Sequence, residues 1–144
     1  MASRSNKAKR DKGSILADTK NLLCILHPAL QHMPKIERIE GGPCEMKKAC
    51  YNLIGHFTTA MECSESRLEC IHKIFADFGI MLAAFDLSIQ LGLFTDSEKL
   101  RIAIQIERIE EGIKKWRNAT RSLKSQAQQE VAPKNEEELA VSID

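Results

Sequence analysis

The stretch from Leu68 to Phe94 carries two apolar helical stripes rather than one, and this constrains the chain more than any other feature. Leu68, Ile71, Phe75, Phe78, Leu82, Phe85 and Ile89 follow one another in alternating steps of three and four residues, the period of a helix that buries one face in a bundle. Ile80, Ala84, Leu87 and Leu91 repeat those steps on another face. One stripe is enough to seat a helix in its own domain. A second needs another surface, and a chain of 144 residues has room for one hydrophobic core and little to spare. Ile80, Ala84, Leu87 and Leu91 are therefore expected to build an interface between copies of the chain.

The remaining sequence divides into three further amphipathic helices. Ser14 is a good N-cap for the first, which should run to about Met33 with the stripe Leu16, Thr19, Leu23, Leu26, Leu30 and Met33. Pro28 lies inside it, removes the donor for the Cys24 carbonyl and predicts a kink. Met33-Pro34 ends this helix, and a loop through Glu40, Gly41 and Gly42 follows. The second helix opens at Pro43, whose fixed φ suits a first turn, and its stripe is Met46, Cys50, Leu53, Phe57 and Ala60. Ser64 is the expected cap of the third helix, with Glu65 well placed in its first turn, and Gly92 together with Phe94-Thr95 ends it. Thr95-Asp96-Ser97-Glu98 has the spacing of a capping box. The fourth helix then shows the cleanest period in the chain: Ile102, Ile106, Ile109, Ile113, Trp116, Thr120 and Leu123. Few glycines and prolines and no sustained period-two alternation leave an all-α fold, an antiparallel up-down four-helix bundle over residues 14–125.

The two ends carry opposite charge. Residues 1–13 carry Arg4, Lys7, Lys9, Arg10 and Lys12 against Asp11, and residues 126–144 carry Glu130, Glu136, Glu137, Glu138 and Asp144 against Lys134. Both ends lack periodic apolar residues and are expected to be mobile tails, one basic and one acidic. The five cysteines form no CxxC pair, so neither a zinc knuckle nor a redox motif is suggested. The polar opening residues are not followed by an apolar signal region, and a reduced cytoplasmic protein is expected. The apolar run from Phe78 to Phe94 is shorter than the roughly 20 residues of a membrane span and contains Asp86 and Gln90.

The residues give no positive sign of catalysis. Glu69 and His72 have the E-x-x-H spacing of di-metal bundles, but no second such pair accompanies them, and no metal or other cofactor is expected. Cys63, Cys70, His56 and His72 gather around one helix–helix corner without an oxyanion-type glycine loop. Asp77 and Asp86 are separated by about 13 Å of helix axis, too far for one carboxylate pair, and are expected to meet lysines or arginines of a neighbouring helix or subunit. A non-catalytic protein without a small-molecule substrate is the reading that remains. Lys114, Lys115, Arg117, Arg121 and Lys124 form a basic region late in the fourth helix, and Lys35 and Arg38 follow the first helix. These seven are candidate contacts to RNA phosphates, chosen from charge and expected exposure. Cations near a helix C-terminus also complement its dipole, so a purely structural role stays open.

Several landmarks then occur in a recognisable order. His27-Pro28 lies in the first helix, Met33-Pro34-Lys35 closes it, Glu45-Met46 opens the second, Ala76-Asp77-Phe78-Gly79 lies in the third and Trp116 late in the fourth. In this order the chain resembles the Avd family, the accessory variability determinants of diversity-generating retroelements, over roughly residues 14–125. The resemblance extends to the four-helix proteins encoded in intervening sequences of bacterial 23S ribosomal RNA genes. It implies a four-helix bundle assembling into a homo-oligomeric, pentameric ring. It also implies a non-catalytic partner of a reverse transcriptase that binds the enzyme and its template RNA and supports mutagenic complementary-DNA synthesis. An intervening-sequence-type protein, or a protein-only oligomeric scaffold without RNA affinity, are the alternatives.

Overall fold

A computed structural model describes residues 3–143 and, among these, the side chains of residues 15–122. The backbone is helical over Ser3–Gln31 and Asp96–Ile143, so Ser14 lies within a helix rather than at its cap, and most of the two expected tails continues the first and last helices. The side chains there, with those of Leu123 and Lys124, lie outside the described ones. The elements are α1 (Ser3–Gln31), the short α2 (Lys35–Ile39), α3 (Gly42–Glu62), a 3-10 turn at Ser64–Ser66, α4 (Arg67–Gln90) and α5 (Asp96–Ile143). Among the described residues there is no strand, and the four long helices contain the four stretches the sequence announces, with α1 and α5 extending beyond them toward the chain ends. The chain divides into two compact units, Met1–Ile113 and Lys114–Asp144, and the bundle core lies in the first.

That core follows the helical periods, most directly on α3 and α5. Met46, Cys50, Leu53, Phe57 and Ala60 are all buried, as are Ile102, Ile106, Ile109 and Ile113. On α1 the buried face is Ile15, Thr19, Leu22, Ile25, Leu26, Ala29 and Leu30, with Met33 buried just beyond its end, so the centre lies one residue from the expected stripe and Leu16 and Leu23 are only half-buried. The Thr19 hydroxyl donates to the Ile15 carbonyl at 2.6 Å, which removes the cost of its burial.

The correction on α4 is larger. Its core face is Cys70, Ile71, Ile74, Asp77, Phe78, Met81, Ala84, Phe85 and Ser88. Of the expected inner stripe, Leu68 and Ile89 are exposed and Phe75 and Leu82 are half-buried. This helix is apolar nearly all round, so its period leaves the phase open. The polar Asp77 and Ser88 sit on the core face because each has an internal partner, His56 and the Ala84 carbonyl respectively.

α3 and α4 form an antiparallel hairpin. Near the turn, Arg67 Nε donates to the Ala60 carbonyl at 3.3 Å, and further along Cys50 Sγ lies 3.7 Å from Met81 Sδ. At the far end, Gly42 lies directly over Ser88 and the Ala84 carbonyl, closely enough that a side chain there would collide with both. α1 borders α3 along a groove lined by Cys24, His27, Lys47 and Tyr51, and it borders α5 along another lined by Asn21, Ile25, Arg101 and Ile104. Burial raises the Asp18 carboxyl above the usual carboxylate range, and Arg108 on α5 opposes that shift.

The connections obey local chemistry. α1 ends at Gln31 as Met33-Pro34 requires, and its helix continues through Pro28. The residues expected as a loop instead form α2, opened by Pro34 and sealed by Cys44 Sγ donating to the Ile39 carbonyl at 3.1 Å. Ser64 does not cap α4: it belongs to the 3-10 turn, and Ser66 occupies the cap position without a side-chain cap bond. The end of α4 is a Schellman motif, with Leu93 N–H donating to Ser88 O and Gly92 N–H to Ile89 O, both at 3.0 Å. Gly92 has φ +68°, the left-handed conformation this motif needs. The capping box is formed as expected: Thr95 N–H donates to Glu98 Oε1 at 2.9 Å and Glu98 N–H to Thr95 Oγ1 at 3.2 Å. Phe94 is buried against Phe85, the rings tilted with centroids 6.0 Å apart.

Candidate functional site

In the single chain the second α4 stripe is mostly in water. Ile80, Leu87 and Leu91 keep 52%, 49% and 57% of their surface exposed, while Ala84 is buried. Helical spacing places Asp77, Ile80, Ala84, Leu87 and Leu91 along one edge of α4. Asp77 touches His56, and the Ala84 carbonyl lies under Gly42, so this edge borders α3. A row of large apolar side chains left exposed at such an edge can be covered by a second protein surface.

Beside that row lies a pair the sequence reading assigns differently. Asp77 meets His56 of α3 rather than a lysine or arginine, with Nδ1 and Oδ2 2.7 Å apart and the two side chains 32% and 11% exposed. A carboxylate only accepts, so the imidazole donates through Nδ1 and keeps Nε2 for an outside partner. The pairing has a signal in the sequence: in a hairpin that turns at Ser64–Ser66, His56 and Asp77 lie at comparable distances on either side of the turn.

The other chemical candidates separate. Glu69 and His72 are both on the surface, and Glu69 pairs with Lys73 at 3.5 Å. Cys70 is buried, whereas Cys63 and His72 are exposed. Among the described residues no group of three or more histidines, cysteines or acids could hold a metal ion. No helix among them is long and apolar enough to cross a membrane.

The thiols divide by environment. Burial pushes Cys50 up to about 12. Cys63 is exposed at the start of the 3-10 turn, and the hydroxyl and backbone N–H of Ser66, together with the Glu65 N–H, lower its thiol below the usual range. Maleimide is therefore expected to modify Cys63 and the exposed Cys24 in the native protein and to spare Cys44, Cys50 and Cys70. Because the Cys63 thiolate is favoured, its labelling rate should reach half its maximum at a lower pH than that of free N-acetylcysteine. Peptide mapping across a pH series checks both points, and an unreactive Cys63 would contradict the exposed turn.

The basic candidates occupy two places. Lys35 and Arg38 are exposed on α2, which has no buried residue and also shows Ile36 and Ile39 to water. In the second unit Lys114, Lys115 and Arg121 are exposed, while Arg117 is half-buried with its Nε out of solvent. Trp116 and Thr120 are half-buried there, and the Thr120 hydroxyl donates to the Trp116 carbonyl at 2.9 Å. Arg117 thus takes part in packing, which charge counting alone does not reveal.

Compared with protein-family models, curated proteins and solved structures, the chain matches none of the three.

Proposed function

We propose that this chain is a non-catalytic accessory protein of a diversity-generating retroelement, a homopentameric ring scaffold that binds the reverse transcriptase and its template RNA. The observation that carries the assembly is the exposed edge of α4, where Ile80, Leu87 and Leu91 stand in water on a helix already seated in its own core. The ordered landmarks shared with the Avd family carry the retroelement role. Their setting in the bundle agrees with a structural use, since Met33, Met46, Asp77 and Phe78 are all buried.

The mechanism is scaffolding. A ring repeats each exposed cation once per subunit, so weak phosphate contacts add, and RNA and polymerase held on one ring meet at high effective concentration. The chain contributes surface and position, and the chemistry belongs to the polymerase.

Lys115→Glu combined with Arg121→Glu tests the RNA contact, since both side chains are exposed. RNA affinity should fall about tenfold or more and its salt dependence should flatten, with the assembly unchanged in mass. Crosslinking in the native host, followed by sequencing of attached RNA, tests the identity. Enrichment of a short non-coding RNA beside a reverse-transcriptase gene supports the proposal. Fragmented 23S RNA would assign the chain to the intervening-sequence proteins, and no enriched RNA would leave a protein-only scaffold.

A further inference from the structure

On the outer side of α1 and α3 lies an open groove of about 360 Å³, lined by Leu23, Cys24, His27, Pro28, Lys47 and Tyr51. Two features of it select a ligand. Tyr51, the only tyrosine of the chain, leaves 58% of its surface in water beside Leu23 and Pro28, so a flat apolar wall stands uncovered. The groove has no acidic lining residue, while Lys47 and His27 supply a cation and a ring donor.

A planar ring and a negative charge are what these features accept together. Inorganic phosphate offers only the charge. We infer that the groove binds one nucleotide unit, with the base stacked on Tyr51 and the phosphate beside Lys47 and His27. The inference rests on the RNA-binding reading above for the source of the nucleotide. The groove chemistry is the same for a free nucleotide and for one unit of a single strand. The volume lies within the range of small-ligand sites.

The test titrates the full-length protein with adenosine monophosphate, inorganic phosphate, benzoate and a short single-stranded oligoribonucleotide, by calorimetry. Adenosine monophosphate should bind more tightly than phosphate or benzoate. Tyr51→Ala should weaken it about tenfold, the size of a lost base–aromatic stack, and Tyr51→Phe should restore it. Lys47→Gln should weaken it and reduce its salt dependence. Tyr51 is exposed, so circular dichroism should report an unchanged fold.

Oligonucleotide binding that is tighter and also depends on Tyr51 identifies the strand as the source. Tyr51-dependent mononucleotide binding with an indifferent oligonucleotide identifies a free nucleotide. Equal affinity for phosphate or benzoate, or binding that Tyr51→Ala does not change, overturns the inference. The two readings fail separately: RNA binding lost with Lys115→Glu and Arg121→Glu but untouched by Tyr51→Ala removes only the groove. Tyr51-dependent nucleotide binding without RNA affinity removes only the RNA reading.

Discussion

Leu87→Lys should reduce the proposed ring to single chains while leaving each chain folded. Leu87 is 49% exposed in the isolated bundle, so a lysine there can keep its ammonium in water and should change monomer stability by less than about 0.5 kcal/mol. In an assembly that covers Ile80, Leu87 and Leu91, the same ammonium loses its hydration and meets an apolar surface, which costs several kcal/mol. Even about 2 kcal/mol, the threshold of an interface hot spot, weakens each contact roughly 30-fold. A ring of identical subunits carries the defect at every interface. Size-exclusion chromatography with light scattering at low micromolar concentration reads the mass, and circular dichroism reads the fold. Leu100→Lys is the matched control, because Leu100 is 64% exposed on α5 and outside the stripe, and it should leave the mass unchanged. A Leu87→Lys protein of wild-type mass would remove the α4 edge as the interface and the ring proposal with it.

What the sequence made legible depends on how exclusive each helix's pattern is. α3 and α5 each show one clear apolar stripe, and Met46, Cys50, Leu53, Phe57 and Ala60 on the first and Ile102, Ile106, Ile109 and Ile113 on the second are buried, while Tyr51, Met61, Leu100 and Ile104 lie off the stripes and are exposed. α4 is apolar on several faces, and two polar residues occupy its core face because internal hydrogen bonds satisfy them. A pattern argument that assigns polar residues to solvent therefore rotates this helix. It still separates an inner from an outer stripe, and three of the four outer residues are exposed. The caps were readable where side chains form them, as in Thr95–Glu98. α2 was not readable, since five residues are too few to show a period. The His56–Asp77 pair needed the register of the hairpin, which no single-helix pattern contains.

Replacing glycine by alanine should have opposite signs at two positions of α3. At Gly42 a Cβ would stand 2.6 Å from Ser88 Oγ and 2.9 Å from the Ala84 carbonyl oxygen. Neither can retreat cheaply. Ser88 is completely buried and its hydroxyl donates to that same Ala84 carbonyl at 2.7 Å, and the carbonyl belongs to the α4 backbone. The methyl must push the start of α3 away from α4 or break this bond, and Gly42→Ala is expected to cost about 2 kcal/mol, as overpacking of a close contact does. At Gly55 a Cβ meets nothing within 4 Å, and the residue is exposed in the helix interior. There the lower backbone entropy of alanine in the unfolded chain acts alone, and Gly55→Ala should stabilise by about 0.5–1 kcal/mol. Urea denaturation of the two variants beside the wild type reads both shifts, compared through midpoints at constant slope so that the denatured state is not mistaken for the cause. If both substitutions stabilise, the close approach of α3 to α4 at Gly42 is absent in solution. The Ala84 carbonyl would then be free of that contact, and the edge of α4 that carries Ile80 and Leu87 would not be fixed against α3 as described.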